Sequence, residues 1–537
     1  MPILTIKLPD EDRHIPFTHG RSVRDVLDET DIRVRAACNG MGACGLCRIE
    51  IVGGNGGEPS VNELTILGTG LLSQGVRLAC QVKADHDLRI VILNPSLPSV
   101  WRCLDKGWST ASLSSTARMP YPKTKHSLGV TVDLGTTHIS ISLLELFAGR
   151  RLAGRCGLNP QAALSADVLT RLISAKSVEQ AEKLSRQVLW AIGDGLRDIG
   201  SREGIDLQRV ERVVLVGNTA MLALLSGQNY HLLLQPRYWC ESIDCLPLET
   251  HSWGSTWGIN PEAVIEVIPP LAGFVGSDLL SGIIATRLME YGPGALLVDF
   301  GTNSEIALWD GNNLWVTSAA GGPAFEGCGI SCGMPAEPGA IFRLNVSDTT
   351  GEFAFDVIAG AEPRGLCGSG LVDLLASLVR KRILNNKGQF ALSVPKYGFP
   401  LCRGNQEIIL TKRDVDIFQR AKAAIGVAFK VLLTKAGMGY HELRRICIGG
   451  VFGQYLNIVN AQEIGLLPTM PEQFLETAGN TAHAGCETLL LSLDSEECLR
   501  EVRSRAITVN LSNCTDFETL FLEHLYLQPI NDNRGHG

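Results

Sequence analysis

The clearest pattern of apolar and polar positions lies at residues 130–144, which read VTVDLGTTHISISLL. An apolar strand leads into Asp133, a glycine and two threonines form a tight turn, and a strand of alternating apolar and polar residues follows. Residues 296–308 repeat the pattern as LLVDFGTNSEIAL, with Asp299 in the place of Asp133. A repeat at this long spacing predicts two half-domains, each opening with a strand–loop–strand hairpin, rather than a solenoid.

Both turns have the composition of a phosphate-binding loop. Successive backbone N–H groups and small hydroxyls on one concave side can hold phosphate oxygens, and glycine lets the backbone come close. The aspartate before the turn suits Mg²⁺, held through water because this metal keeps part of its hydration shell. One such turn alone is equally typical of an ordinary hairpin, so the duplication carries the prediction of an ATP cleft. The candidate residues are Asp133, Gly135, Thr136 and Thr137 in the first loop and Asp299, Gly301, Thr302 and Asn303 in the second.

Residues 1–93 are predicted to form a separate unit. It opens with a strand alternating at Leu4, Ile6 and Leu8, and Ser22 with Asp25 resembles a helix capping box. Three cysteines then follow at C-x5-C-x2-C spacing in AACNGMGACGLCRIEI, and a fourth precedes a last strand, LRIVIL. The glycines between them let the loop fold tightly and expose N–H groups to sulfur. The candidate ligands of a 2Fe-2S cluster are Cys38, Cys44, Cys47 and Cys80.

Two other interpretations compete for these cysteines. A structural zinc site more often shows two C-x2-C pairs, and here there is one. Disulfides fit a secreted chain, which this sequence does not resemble. The module around the cysteines resembles a plant-type or adrenodoxin-type ferredoxin, and its five-residue first spacing is nearer the latter.

The rest of the chain divides into three parts. Residues 94–126 carry prolines and serines with little periodicity and predict a linker, with a short helix near Trp101. This segment either lets two domains move or packs as a spacer against one of them. Residues 127–290 and 291–537 are predicted as the first and second ATPase halves.

Glycines recur where apolar strands give way to helices in both halves. Gly217 opens one such helix, and a second starts near Gly276 with Asp278 in its first turn. A glycine at a helix N-terminus suits an anion, although a plain strand-to-helix turn explains it equally well. The glycine- and proline-rich segment 318–343 is long for a compact domain, which indicates a functional loop.

Composition narrows the function classes. At 537 residues the chain predicts about two to four domains. A hydrophobic content of 45% with 57 glycines and a net charge of −8 is typical of an α/β protein and argues against nucleic-acid binding. No apolar run or leader predicts a membrane span or a secretory signal, so a cytoplasmic location without membrane attachment is expected. Sixteen cysteines then indicate metal or redox chemistry.

Longer strings carry a resemblance to a known family. DLGTT and DFGTN, with IGGVFG, resemble the actin, sugar-kinase and Hsp70 ATPase superfamily. With the cysteine motif, the strings VGNTAM, FEGCGISCGM, LCGSGLVD and NIVNAQEIGLLP are similar to the ATP-dependent reductive activators of corrinoid proteins. The resemblance covers essentially the whole chain. It implies an α+β and α/β multidomain protein with an N-terminal β-grasp ferredoxin domain, a linker and a two-lobed, RNase H-like ATPase.

The resemblance implies a repair reaction. Corrinoid methyltransferases and demethylases use Co(I), which occasionally loses an electron to give inactive Co(II). Family members return it to Co(I) with electrons passed through the iron–sulfur cluster while they hydrolyse ATP. Ferredoxin clusters lie near about −400 mV and are not reducing enough for this cobalt couple, so ATP must change which states are populated. The partners implied are a corrinoid protein and an upstream low-potential electron donor, and a homodimer is expected because family members tend to dimerise.

The resemblance also assigns site residues. It supports the cysteines and both phosphate loops given above, and it implies that Gly449, Gly450 and Phe452 bind adenosine. Glu305 is the candidate for a polar group near the attacking water, although a strand glutamate is often merely exposed. Three residues depart from the family pattern: His138 replaces a threonine, Ser304 a glycine and Pro335 an arginine.

Two alternative functions remain open. One is an ATP-driven electron donor to another enzyme, as in activators of 2-hydroxyacyl-CoA dehydratases. Those activators typically lack a ferredoxin domain, which counts against this alternative. The other is a non-enzymatic ferredoxin-like carrier or redox sensor with an inactive ATPase body, which the intact Asp133 and Asp299 disfavour.

Overall fold

The structure is a computed structural model of the 537-residue chain. It describes residues 2–8, 12–17, 19–27, 32, 34–35, 40–83, 85–95, 101–104, 126–165, 167–319, 321–327, 329–346, 353–360, 362–402 and 407–531. The predicted ligand Cys38 and most of the predicted linker lie outside these residues. The chain divides into one compact unit of Met1–Val100 with Pro160–Ser174 and a second of Trp101–Asn159 with Ala175–Gly537. Among the described helices, none has both the length and the apolar composition that crossing a bilayer requires.

The first unit is a five-stranded mixed sheet with helices. Its strands are β1 (Ile3–Lys7), β2 (Asp12–Pro16), β3 (Arg48–Gly53), β4 (Val76–Leu78) and β5 (Leu88–Ile92). Its helices are α1 (Val23–Leu27), α2 (Val61–Ser73, kinked at Gly68) and α3 (Val168–Ser174). The sheet order is β2-β1-β5-β3-β4, with β1 and β5 parallel. Its alternating apolar residues, such as Leu4 and Ile6, are buried. The ferredoxin-like fold predicted for this unit is confirmed.

A buried ion pair ties α2 to β4 in this unit. Arg77 donates from Nε and Nη2 to the Glu63 carboxylate at 2.9 and 3.0 Å, and the Leu78 N–H donates to the same carboxylate at 2.9 Å. Burial raises the pKa of Glu63, but the hydrogen bonds from Arg77, Leu78 and Ser60 outweigh burial and lower it overall. The pair fixes the strand that leads to Cys80.

The second unit begins with a six-stranded sheet. Its strands are β6 (Arg102–Cys103), β7 (Leu128–Leu134), β8 (His138–Glu145), β9 (Arg150–Leu158), β10 (Val210–Gly217) and β11 (Val264–Val267). The helices of this half are α4 (Val178–Glu203), α5 (Thr219–Ser226), α6 (His251–Trp257) and α7 (Ser277–Ala285). Residues 101–104, the only ones described near Trp101, do not form the predicted short helix: β6 pairs with β9 as an edge strand, and Trp101 is buried and donates its indole N–H to Asp194.

The second half of this unit contains a further six-stranded sheet and two small ones. Its strands are β12 (Ala295–Phe300), β13 (Ser304–Trp309), β14 (Leu314–Ala319), β15 (Ala340–Val346), β16 (Phe353–Val357), β17 (Gly365–Leu366), β18 (Phe399–Cys402), β19 (Ile408–Leu410), β20 (Arg445–Gly449), β21 (Leu475–Gly479) and β22 (Ala506–Thr508). Its helices are α8 (Gly322–Phe325), α9 (Gly368–Arg380), α10 (Lys412–Ala436), α11 (Gly450–Tyr455), α12 (Ile458–Glu463), α13 (Thr481–Leu491), α14 (Ser495–Arg505) and α15 (Phe517–His524).

The two six-stranded sheets share one topology over five strands and differ in the sixth, since β6 is antiparallel to β9 and β22 is parallel to β14. Their orders are β11-β10-β7-β8-β9-β6 and β21-β20-β12-β13-β14-β22. In each, a three-stranded antiparallel meander is extended by two strands parallel to its first strand. The hairpins β7–β8 and β12–β13, which carry the repeated motif, occupy equivalent positions. The predicted duplication is therefore confirmed in the fold.

Helices α7 and α13 join the two halves at a close crossing. A Cβ on Gly485 would lie 1.9 Å from the Ser281 carbonyl oxygen, and one on Gly282 would lie 2.9 Å from Thr481 Oγ1. Helix α13 also packs on β7 and β10, while α7 packs on β12 and β13. Each half thus supplies a helix to the other's sheet, and the N-termini of both helices lie at the level of the two repeated loops.

Candidate functional site

The two repeated loops are three residues long, at 135–137 and 301–303. In the first, the Gly135 N–H donates to the His138 carbonyl at 3.0 Å, and a Cβ at Gly135 would lie 2.8 Å from that oxygen. Asn159 donates from Nδ2 to the Gly135 carbonyl at 2.9 Å, which holds the turn from the side. In the second loop the Gly301 N–H donates to the Asn303 carbonyl at 3.0 Å.

The two loops lie against each other. Thr137 Oγ1 and Thr302 Oγ1 are 2.9 Å apart, although each hydroxyl belongs to a different half of the unit. Both donate to one oxygen of Glu326, Oε2, at 3.2 Å. The structure therefore brings the two predicted phosphate loops together, with a carboxylate at their meeting point.

Four carboxyl groups cluster beside the loops. Asp133 and Asp299 end equivalent strands, Glu305 stands opposite Asp299 across the β12–β13 ladder, and Asp278 lies in the first turn of α7. Cross-strand partners share one face of a sheet, so the carboxylates of Glu305 and Asp299 point to the same side. In the first hairpin the corresponding partner of Asp133 is Ser140, which makes the two halves chemically unequal.

Burial raises the pKa values of all four carboxyl groups, and the charges of neighbouring acids raise those of Asp133, Asp278 and Glu305 further. Burial, followed by the charge of Asp299, raises the pKa of Asp133 to about 7, against a hydrogen bond from Asn480. Burial with the charges of Asp133 and Asp299 raises the pKa of Asp278 to about 7, and burial raises that of Asp299 to about 6. Burial and the charges of Asp278 and Asp299 raise the pKa of Glu305 well above its ordinary value. Such a cluster favours a bound cation.

The N-terminus of α13 holds both loop aspartates. Asn480 donates from Nδ2 to Asp133 Oδ2 at 3.0 Å, and Thr481 donates from Oγ1 to Asp299 Oδ2 at 2.8 Å. The Asn480 side-chain oxygen also caps the helix by accepting from the His483 N–H at 2.9 Å. Two consecutive residues on one helix therefore orient the equivalent carboxylates of both halves.

The predicted adenosine segment lies beside the second loop. A Cβ on Gly450 would be 2.2 Å from the Phe300 carbonyl, and one on Gly449 would be 3.1 Å from Asp299 Oδ2. These glycines let the β20–α11 turn approach the loop. The Phe452 ring is 9% exposed and packs on Phe300 and Phe325 with centroid distances of 5.0 and 5.1 Å. Phe452 thus lies in an aromatic cluster behind the loop.

The chemistry of the donor set fits Mg²⁺. Carboxylate oxygens are the ligands this ion prefers, and it usually keeps several waters. Among the described residues, no group of three or more His, Cys, Asp or Glu side chains is arranged to hold a metal ion. The carboxylates of Asp133 and Asp299 are oxygen donors of the kind that holds Mg²⁺ through its waters, and the magnesium site remains a prediction.

In the ferredoxin-like unit the structure brings two of the predicted cluster cysteines together. Cys47 Sγ and Cys80 Sγ are 3.4 Å apart, far beyond the roughly 2.05 Å of a disulfide. Gln81 donates from Nε2 to Cys80 Sγ at 3.6 Å and to the Gly40 carbonyl at 2.9 Å, which ties the strand to the cysteine loop. Cys44 is half-buried, and Cys38 lies outside the described residues.

The glycines of this loop have the conformation that a tight cradle requires. Gly40, Gly42 and Gly45 have φ values of 85°, 73° and 69°, which favour glycine. A Cβ on Gly45 would lie 2.7 Å from Ile66 Cγ2. Neighbouring thiols on a glycine-rich loop and an adjacent strand fit the donor set of a 2Fe-2S cluster.

The three departures from the family pattern are placed as follows. His138 begins β8, and burial, with the charge of Arg102, lowers its pKa to about 4, so its ring is neutral at pH 7. Ser304 is fully buried at the start of β13. Pro335 accepts a hydrogen bond from the Glu337 N–H at 2.8 Å in the turn before β15.

Sequence reasoning missed four polar residues of this site. The sequence places Asp278 only in the first turn of a helix, and it gives no role to Asn480 and Thr481. Glu326 lay within the long glycine-rich segment without an assigned role. The available signal was the position of each residue at a helix start or beside a glycine, which does not indicate which other segments it meets.

Comparison with known proteins covers both units. A family model described as the 2Fe-2S iron-sulfur cluster binding domain matches residues 6–85, one described as the RACo middle region matches 128–291, and one described as the C-terminal domain of RACo, the ASKHA domain, matches 294–534. The chain is 31% identical over 421 residues to the corrinoid activation enzyme RamQ of Eubacterium limosum, covering 73% of this chain and 69% of that protein.

Two further relatives extend the comparison. The chain is 26% identical over 417 residues to a Co(II) methylated amine-specific corrinoid protein reductase of Methanosarcina barkeri, covering 72% of this chain and 74% of the relative. A solved structure titled reductive activator for corrinoid, iron-sulfur protein superposes with a TM-score of 0.67 at 25% identity, covering 98% of this chain and 99% of that one.

Proposed function

The chain belongs to the family of ATP-dependent reductive activators of corrinoid proteins, and from this premise we propose how its residues carry out that activity. The protein is an iron–sulfur reductase that returns the cobalt of a corrinoid protein from Co(II) to Co(I) and couples this electron transfer to ATP hydrolysis. The reaction supports a corrinoid-dependent methyltransferase or demethylase system.

We assign nucleotide binding to the two repeated loops. In this proposal the backbone and hydroxyl groups of Gly135, Thr136, Thr137, Gly301, Thr302 and Asn303 hold the phosphates of ATP. Asp133 and Asp299 hold Mg²⁺ through water, and their raised pKa values support a role for a cation in keeping them ionised at neutral pH. Mg²⁺, when bound, offsets the charge of the phosphates. Gly449 and Gly450 leave room for the adenosine, and Phe452 supports the turn from behind.

The role of Glu305 follows from its neighbours. It accepts a hydrogen bond from Ser318 Oγ at 3.3 Å and stands opposite Asp299. Burial and the charges of Asp278 and Asp299 raise its pKa and favour the protonated form, whose O–H can donate a hydrogen bond to a water. We assign it to the orientation of the attacking water.

We assign electron transfer to the cysteine loop. Cys38, Cys44, Cys47 and Cys80 are the proposed ligands, and a 2Fe-2S cluster, when bound, supplies one-electron transfer at low potential. Gln81 and the loop glycines direct N–H groups towards the sulfur atoms and so tune the potential. An upstream low-potential donor refills the cluster, and a reducing cytoplasmic compartment keeps the thiols available. We also propose that the protein forms a homodimer.

The observation that best supports this proposal is the contact between the two phosphate loops at Thr137 and Thr302. Each hydroxyl belongs to a different half, so a phosphate held by both must change how the halves contact each other. Binding and hydrolysis of ATP can therefore switch the two halves between two relative arrangements. An otherwise unfavourable electron transfer requires such a change in which state is populated.

An anaerobic assay tests the proposal. Protein with a reconstituted, chemically reduced cluster is mixed with a corrinoid protein in the Co(II) state, and formation of Co(I) is followed by absorbance. We expect Co(I) with ATP and Mg²⁺, little without ATP, and little with Asp133→Asn. Asp356→Asn, on the exposed face of β16, serves as the matched control and retains activity. Equal Co(I) formation without ATP overturns the proposal.

A further inference from the structure

Glu326 is the residue that both phosphate loops contact. Its Oε2 accepts hydrogen bonds from Thr137 Oγ1 and Thr302 Oγ1, each at 3.2 Å, while the two hydroxyls are 2.9 Å from each other. Two hydroxyl hydrogens serve three oxygen–oxygen contacts, so one contact lacks a hydrogen of its own. The carboxylate is therefore held in an arrangement that a better acceptor can replace.

A phosphate is such an acceptor. It offers several oxygens to the same hydroxyls and carries more negative charge than a carboxylate. A phosphate oxygen bound by both threonines must occupy the place of Glu326 Oε2, because the two hydroxyls converge there. Glu326 and the phosphate therefore compete for one position.

The backbone around Glu326 transmits such a displacement. Glu326 follows α8, whose Phe325 packs on Phe300 and Phe452. The next residue, Gly327, has φ of 80°, and its ideal Cβ would lie 2.4 Å from the Met334 backbone nitrogen. Gly327 and Met334 thus lie against each other at the two ends of the glycine-rich segment 327–334, which we call the FEG loop after the sequence that opens it. The structure describes residues 327 and 329–334 of this loop.

The FEG loop is fixed at its far side. Ser331 donates from its backbone N–H to Asp414 Oδ1 at 2.6 Å and from Oγ to Oδ2 at 2.5 Å. Asp414 is also part of the capping box that starts α10. A shift of Glu326 at one side, with Ser331 held at the other, must therefore change the shape of the loop between them.

We propose that the Glu326 carboxylate is an internal competitor for the nucleotide phosphate, and that phosphate binding displaces it and reshapes the FEG loop. This inference rests on the proposed function, since it assumes that the two loops bind ATP. Glu326 is then a positioning residue. Its carboxylate changes position when a phosphate occupies the site, and this change alters the conformation of the FEG loop.

Nucleotide affinity tests the competition. Calorimetric titration with Mg²⁺ and a non-hydrolysable ATP analogue is carried out on the full chain and on Glu326→Gln and Glu326→Ala. The apparent Kd of a site that is free for only part of the time is its intrinsic Kd divided by the free fraction. Removing a competitor that leaves the site free about one fifth of the time should therefore tighten binding about fivefold. Glu326→Gln is nearly isosteric and covers the case in which the alanine variant folds poorly. A merely structural residue would lose affinity when replaced, so a gain separates the two roles.

Glu337→Gln is the matched control. Glu337 is a buried glutamate close to the FEG loop that pairs with Arg364 at 3.4 Å, so its replacement removes a nearby charge without touching either threonine. We expect unchanged affinity in this variant. Hydrogen exchange of residues 327–334 supplies a second measurement: the analogue changes exchange in the wild type, and that change is reduced in Glu326→Ala.

The outcomes separate the two levels of the argument. If the wild-type chain fails to bind the analogue, the proposed function fails. If the wild type binds but the Glu326 variants bind equally or more weakly, only the competition is refuted, and a role for Glu326 in holding Mg²⁺ or water takes its place. Tighter binding with an unchanged exchange pattern at the loop overturns the coupling to the FEG loop.

Discussion

Replacing Asn480 separates two functions of one side chain. Its Oδ1 caps α13 by accepting from the His483 N–H at 2.9 Å, and its Nδ2 donates to Asp133 at 3.0 Å. Asn480→Ala removes both contacts, whereas Asn480→Asp keeps the cap and replaces the donor with a second carboxylate oxygen beside Asp133.

The magnitude follows from these contacts. Loss of an N-cap costs about 1 kcal/mol, and loss of a hydrogen bond to a charged acceptor costs about 1.5–3 kcal/mol. Asn480→Ala should therefore destabilise the ATPase unit by about 2–4 kcal/mol, which lowers Tm by a few degrees. Asn480→Asp should lose less stability, because aspartate also caps a helix. This variant should bind nucleotide more weakly in the absence of Mg²⁺, because its negative charge lies next to Asp133.

Thermal unfolding and nucleotide titration, each with and without Mg²⁺, measure these effects. Mg²⁺ should restore more affinity to Asn480→Asp than to Asn480→Ala, since a cation offsets added negative charge. The reasoning is refuted if Asn480→Ala unfolds within about 0.5 kcal/mol of the wild type, the range expected for ordinary surface substitutions, and also hydrolyses ATP normally.

Three further predictions concern other parts of the molecule. Cys47→Ser should abolish the visible absorption of the reconstituted cluster, whereas Cys245→Ser, at a buried thiol in the other unit, should keep it; equal spectra would contradict the ligand assignment. Glu63→Gln should destabilise the ferredoxin-like unit by about 3–5 kcal/mol because Arg77 is left buried without its partner. Since the pKa of Glu63 is lowered from 4.5, the wild-type contribution should be present above that pH and be lost as pH falls further, as urea unfolding of wild type and variant across pH 3–7 would reveal. Burial lowers the pKa of His483 from 6.5 to about 4, so its contribution should be complete above pH 6.5 and decline towards pH 4; a His483→Gln variant with the same pH profile of Tm as wild type would contradict this.

Local sequence patterns predicted much of the fold for identifiable reasons. The DLGTT and DFGTN turns sit between strands whose apolar and polar residues are set by neighbours in the chain, and they form hairpins in the structure. Ser22 and Asp25 form the expected capping box, with the Asp25 N–H donating to Ser22 Oγ at 3.1 Å. These features depend on residues close in sequence or on a repeated motif.

Patterns failed where a distant segment decides the outcome. The stretch around Trp101 has no periodicity of its own and becomes a strand only because β9 offers an unpaired edge. The aromatic neighbours of Phe452 were likewise not visible in the pattern: its ring packs on Phe300 and Phe325, while its predicted role at the adenosine stays a prediction. Neither neighbour is near Phe452 in the sequence.

The amino-acid sequence by itself determined the two hairpins, their loop residues, the duplication and the cysteine motif, because each depends on short-range geometry and side-chain chemistry. Only the tertiary structure decided that Asn480 and Thr481 hold the aspartates of both halves and that Glu326 lies between the two threonines. For Asn480 and Thr481 the reason is the crossing of α7 and α13, whose close approach at Gly485 and Ser281 brings the start of α13 to both loops. Buried carboxylates depend on such neighbours for their charge state, so the electrostatics of the site follow from the packing of the helices.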